Sequence, residues 1–151
     1  MIRQGGIDYY YRLFDFAAEL GTPLVSCHGQ VGRIKPIATQ EEEDDLLVAS
    51  VSRIVKRAAQ ANLQVVFEVL NRYETHQIHT HAQALQLVSE IEAENFGVLL
   101  DAYHMNIEEA NPAEALSTTG DKLWLYHVAD SNREGVGYGH TDFAGQYQAL
   151  A

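Results

Sequence analysis

Apolar residues recur along this chain in two rhythms, one helical and one of short unbroken runs, and the two alternate. Residues 7–20 place Ile7, Tyr10, Leu13, Phe14, Ala17 and Leu20 at helical spacing, with Asp8 in the first turn and Gly21 just past the end. Thr22 and Pro23 lead into the run Leu24-Val25-Ser26-Cys27, which reads as a buried strand ending at His28-Gly29. A loop from Gln30 to Ala38 contains Gly32 and Pro36. Thr39 and Glu42 form a T-x-x-E capping box for a second helix, whose stripe is Leu47, Val51, Ile54, Val55 and Ala58. Its acidic start, Glu41 to Asp45, and its basic end, Arg53, Lys56 and Arg57, match the helix dipole, so the acidic run is read as a solvated helix start.

Asn62 ends that helix, and Leu63 to Val69 forms a strand with almost no polar alternation, as expected where both faces are covered. A third helix begins near Thr80, with Gln83 completing another capping box and Ala84, Leu87, Val88 and Ile91 facing inward. Phe96-Gly97-Val98-Leu99-Leu100 is a third buried strand ending in Asp101. Asn111 and Pro112 open a short helix by cap and first-turn chemistry. Leu123-Trp124-Leu125-Tyr126 is the last strand, ending at His127-Val128, and Thr141 or Asp142 starts a final helix. The expected order is α-β-α-β-α-β-α-β-α in one α/β domain over residues 1–151, with four parallel strands. An open doubly wound sheet and part of a (β/α)8 barrel both fit that order.

Composition narrows the chemistry. The 151 residues are 46% hydrophobic and 21% charged, a globular balance. Against 10 Lys and Arg stand 21 Asp and Glu, a net charge of -11, which disfavours nucleic acid and anionic membrane as partners. A single cysteine, Cys27, excludes an intrachain disulfide and fits a reducing, cytoplasmic setting. No apolar run is long enough to span a membrane, and residues 1–10 hold no apolar leader core.

Three strands end in a side chain able to ligate a metal: Glu68, Asp101 and His127. Strand C-termini are where parallel α/β proteins assemble sites, and two carboxylates with one imidazole suit a divalent ion, Mn²⁺ ahead of Mg²⁺, Co²⁺ or Zn²⁺. Other features have simpler readings. His76, His79 and His81 are read as exposed histidines, since no carboxylate pattern accompanies them. Gly135, Gly137 and Gly139 lack the Lys-Ser/Thr of a phosphate loop. Cys27 is read as a small buried hydrophobe, Tyr9-Tyr10-Tyr11 as helix surface and core edge, and Trp124 as sheet packing.

The residues after those strand ends carry more. They are E-V-L-N-R-Y-E (68–74), L-D-A-Y-H-M-N-I-E-E (100–109) and H-V-A-D-S-N-R (127–133). In order, and with spacings of 33 and 26 residues between the strand ends, they resemble the xylose-isomerase-like TIM-barrel superfamily of sugar isomerases and epimerases. Within it they are most similar to ketose 3-epimerases of the D-tagatose or D-psicose type.

The resemblance implies a partial (β/α)8 barrel, about strands four to seven, and a metal-dependent enzyme of carbohydrate metabolism that moves the C3 proton of a ketose through an enediolate. It implies Glu68, Asp101 and His127 as metal ligands, Glu68 also as a catalytic proton carrier, and Glu74, His104 and Arg133 as substrate contacts. It further implies a fourth ligand, a Glu on the last barrel strand that is also the second acid/base. No such strand follows the final helix here, so three ligands of four and an incomplete activity are expected of this chain alone. A related isomerase, such as one acting on hydroxypyruvate, shares the proton chemistry. The DNA-repair endonuclease branch of the superfamily needs more histidine ligands and a basic groove, which the charge opposes. A third class is an inactive half-barrel that self-associates through open sheet edges or complements another chain.

Overall fold

The computed structural model describes residues 2–151. The elements are α1 (Ile2–Glu19), β1 (Leu24–Cys27), α2 (Gln40–Gln60), β2 (Gln64–Glu68), α3 (His81–Ile91), β3 (Phe96–Asp101), α4 (Ala102–Glu108), α5 (Pro112–Thr119), a 3₁₀ turn (Gly120–Lys122), β4 (Leu123–His127) and α6 (Phe143–Leu150). The strands form one sheet in the order β1-β2-β3-β4, every neighbouring pair parallel. Strand order therefore follows chain order without reversal. A doubly wound sheet would turn back at a switch point, so the run is that of consecutive barrel strands.

Right-handed crossovers in one direction place the connecting helices on a single face of the sheet. The core lies there. Val65 and Phe67 of β2, with Phe96, Val98 and Leu100 of β3, pack with Phe14 of α1, Val51 and Ile54 of α2, Leu87 of α3 and Leu116 of α5. Cys27 belongs to the same core, and burial pushes its thiol up to about 12. Val66, Leu99, Glu68 and Asp101 alternate onto the opposite face, which would be the interior of a barrel.

Local chemistry explains most boundaries. Thr39 and Thr80 each cap their helix with a reciprocal box through Glu42 and Gln83. Asn111 caps α5 ahead of Pro112, and the Asp142 side chain accepts from Gly145 N–H to start α6.

The differences from expectation arise from tertiary contacts. Helix α1 begins at Ile2 rather than residue 7 and runs through Gly5 and Gly6. Gln4 donates to Asp8 at 2.7 Å, Arg53 of α2 donates to Gln4 at 3.0 Å, and Arg3 reaches Ser50. Those bonds offset the helix-weakening glycines. Leu20, expected on the apolar face, is exposed. Helix α4 was not expected, because seven residues are too few to show a period.

Trp124 lies half-buried against Gly97 of β3. The β3–β4 register shifts between Val98 and Leu99. A Cβ added at Gly97 would sit 2.7 Å from Trp124 Cε3, closer than packed atoms tolerate. Gly97→Ala is expected to destabilise the fold by about 1–3 kcal/mol through overpacking, read as a lower urea midpoint, whereas Gly97→Ala with Trp124→Leu should recover part of the loss.

Candidate active site at the strand ends

Parallel register brings the strand termini level. Asp101 pairs with His127, and Glu68 with Leu99 two residues before Asp101. His127 Nδ1 lies 3.4 Å from Asp101 Oδ2 and 3.6 Å from Glu68 Oε1. Asp101 is 5% exposed, Glu68 half-buried and His127 exposed. Asp101 also caps α4, accepting from Tyr103 N–H at 2.8 Å through Oδ1. One carboxylate oxygen thus anchors a helix while the other faces His127.

That short helix delivers His104. A nitrogen of His104 and one carboxylate oxygen each of Glu68 and Asp101 all lie within 4.8 Å of one another. The structure thus brings together Glu68, Asp101 and His127, and adds His104 to the group. Two carboxylates this close repel, and a divalent cation relieves the repulsion. The oxygen and nitrogen donors present fit such an ion. His104 is 1% exposed, and burial depresses its basicity against the pull of Asp101 and Glu74.

Glu74 and Arg133 form the rim. Arg133 Nη1 donates to Glu74 Oε1 at 3.1 Å, and its guanidinium stacks 4.5 Å from the Tyr103 ring centroid. Arg133 has φ +66, a left-handed conformation uncommon without glycine. It is held there by the loop that follows β4. Buried Asp130 accepts from Ser131 N–H at 2.7 Å, Gly137 N–H at 2.9 Å and Thr141 N–H at 3.1 Å. Burial alone would raise the Asp130 carboxyl; backbone donors at Gly139, Ser131 and Thr141 outweigh it, and the net shift is well below the usual carboxylate range. Gly139 is required because a Cβ there would strike this carboxylate.

Sequence reasoning missed several supports that lie inside the quoted motifs. Asn71 is buried and bonded to His104. Arg72 grips Glu108 through its backbone N–H at 2.6 Å and its guanidinium at 2.7 Å, tying the β2 loop to α4. Glu109 accepts from His81 N–H at 2.7 Å.

The histidine cluster requires correction. His76 is buried, with Nε2 2.8 Å from Glu43 Oε2 and Nδ1 3.1 Å from Arg33 O. Glu43, taken as part of a solvated run, is buried too. It binds Arg33 Nη2 at 2.6 Å and accepts from Ile37 N–H at 2.6 Å and Ala38 N–H at 3.1 Å. The carboxylate partner of His76 is 33 residues away in sequence, beyond the reach of local pattern. This network knits the loop after β1 to the loop after β2, where Gly32 N–H also donates to Glu74 O at 2.8 Å.

The chain belongs to the xylose isomerase-like TIM barrel family, whose sequence pattern matches residues 2–151. Among its relatives it is 39% identical over 102 residues to the ketose 3-epimerase of Arthrobacter globiformis, covering 68% of this chain and 35% of that protein. It is 32% identical over 155 aligned positions to the 3-dehydro-D-guloside 4-epimerase of Escherichia coli K12, covering 98% of this chain and 59% of that one. The crystal structure of the Methylomonas D-allulose 3-epimerase in complex with D-allulose superposes with a TM-score of 0.89 at 32% identity, covering 96% of this chain and 51% of that chain. The chain thus spans between about a third and three fifths of the length of these relatives. Among the described residues no helix is long and apolar enough to cross a membrane.

Glu43 is held well below its ordinary value, first by Arg33 and then by the Ala38 amide, with Ile37 and His76 adding to the effect. A depressed folded value means that this stabilisation is present in full above the unfolded Glu value of about 4.3. It is lost as pH falls from there through the folded value. Glu43→Gln should therefore lower stability at pH 7 and flatten its dependence on pH below about 4.3 in urea titrations across pH; an unchanged acid limb would contradict the network's role.

Proposed function

We propose that this chain carries a divalent-metal site and sugar-binding groups of a ketose epimerase, of the kind that inverts C3. The convergence of Glu68, Asp101 and His127 on adjacent parallel strand ends, beside buried His104, carries the reading. Kinship with proteins named as ketose 3-epimerases supports it.

In this reading Glu68, Asp101 and His127 hold the ion, Mn²⁺ ahead of Mg²⁺, Co²⁺ or Zn²⁺. When bound, it supplies positive charge beside the substrate's carbonyl oxygen. Glu68 is the proton carrier at C3, since an acidic C–H next to a ketone needs a base at hydrogen-bond reach. His104 and the Arg133 guanidinium steady substrate oxygens, and Glu74, already bridged to Arg133, accepts from a hydroxyl. Inversion needs a carboxylate on each face of C3. Glu68 serves one face, so the chain alone is read as exchanging the C3 proton rather than completing inversion.

Titration of the native chain with Mn²⁺, followed by the loss of the free-ion EPR signal, should show uptake, and Glu68→Gln should weaken it by at least tenfold. D-allulose incubated in D₂O with the Mn²⁺-loaded chain should gain deuterium at C3, and the Glu68→Gln variant should abolish the gain. Absence of Mn²⁺ uptake by the native chain would sink the site assignment.

A further inference from the structure

We infer that Asn71 is a positioning residue that holds His104 as the neutral Nε2–H tautomer, so that His104 acts in this site as a donor to a substrate oxygen and not as a metal ligand. The second half rests on the epimerase reading above; the first half stands on geometry alone.

A backbone N–H can only donate, and that of Asn71 points to His104 Nδ1 at 3.2 Å. Nδ1 is therefore an acceptor. The Asn71 side-chain amide adds a second donor, with Nδ2 2.8 Å from the same nitrogen. The orientation of that amide is set twice over. Tyr73 N–H donates to Asn71 Oδ1 at 2.9 Å, which requires oxygen at that position, and Asn71 Nδ2 donates to Glu74 Oε1 at 3.2 Å, which requires nitrogen at the other. With Nδ1 receiving two hydrogen bonds, the ring proton of a neutral imidazole must sit on Nε2.

That Nε2–H is buried and has no partner among the described residues. An unmade hydrogen bond on a buried donor is costly, so a native structure that keeps one reserves it for something that binds. His104 and Asn71 are each 1% exposed, which leaves little room for the ring to turn and present its other nitrogen. A metal needs a lone pair, and Nε2 in this tautomer has none to offer. A carbonyl or hydroxyl oxygen of a sugar does accept. Among the clustered residues the imidazole thus divides from the carboxylates: Glu68 and Asp101 present lone pairs, and His104 presents a proton.

The test is a long-range ¹H–¹⁵N correlation spectrum of the chain labelled with [¹⁵N]histidine, with His104 assigned by its loss in His104→Gln. The expected result is an Nε2–H pattern that persists when Zn²⁺ saturates the site, while the His127 nitrogens shift. A Nδ1–H pattern, or loss of the Nε2 proton on adding Zn²⁺, overturns the proposal. In Asn71→Asp the new carboxylate oxygen faces Nδ1 and draws a proton there, so the pattern should change to Nδ1–H; an unchanged pattern would refute the role of Asn71. Should Asn71→Asp fail to fold, Asn71→Ser keeps the backbone donor and removes the amide donor, so Nε2–H should persist with a shifted Nδ1 resonance; an unshifted Nδ1 resonance would refute the part of the Asn71 side chain. Calorimetric binding of D-allulose to the Mn²⁺-loaded chain should weaken by about tenfold in Asn71→Asp, the effect of losing one buried donor to an oxygen, with Mn²⁺ affinity not reduced. An Nε2–H tautomer with no D-allulose binding by the native chain would overturn the donor role and the epimerase reading while leaving the tautomer assignment standing.

Discussion

Everything at this site depends on the parallel ladder that sets strand ends side by side. Side chains on a strand alternate faces, so a one-residue slip between β2 and β3 or between β3 and β4 would turn Glu68, Asp101 or His127 away from the others. Register is held from the opposite face. Phe67, Val98 and Leu100 must meet the helices, and that rules out the odd slips that would turn their neighbours Glu68 and Asp101 outward. The hydrophobic core is thus the device that aims the polar site.

A second layer of order comes from buried carboxylates that bind backbone. Asp101 caps α4 and so directs His104 into the cluster. Asp130 gathers amides from a glycine-rich loop and fixes the turn that presents Arg133. Glu43 clamps the loops after β1 and β2 through Arg33, two amides and His76. Each places a charge where water is scarce and satisfies it with several donors, the condition under which a buried charge is stable. Loops that would otherwise wander become parts of a rigid rim.

The same logic separates residues that touch ligands from those that hold them. Arg72 and Glu108 are spent on each other, and His81 on Glu109. Among the described residues Glu68 and His127 make no side-chain hydrogen bond, and His127 Nδ1 lies 3.6 Å from Glu68 and 3.4 Å from Asp101. Groups left unsatisfied by the fold are the ones available for chemistry. Placing His104 on the unsatisfied side, through its orphaned Nε2, follows from the same census.

What the sequence determined by itself were the features whose causes are local. Capping boxes at Thr39 and Thr80, the Asn111-Pro112 start, and the apolar runs of β1, β2 and β3 follow from neighbours a few residues apart, so their elements were legible to within a residue or two. The ordered appearance of Glu68, Asp101 and His127 at strand ends was legible too, because strand periodicity and spacing are one-dimensional. Tertiary structure alone decided which polar groups would be buried and against what. His76 and Glu43 read as surface because they are buried against each other across 33 residues, and because Arg33, Ile37 and Ala38 reach Glu43 from an irregular loop that has no period. Helix α1 extended through two glycines because α2 was there to bond it. The proton on His104 was decided by Asn71, 33 residues earlier in the chain. Long-range hydrogen bonds have no period, and so leave no trace in the pattern of a single sequence.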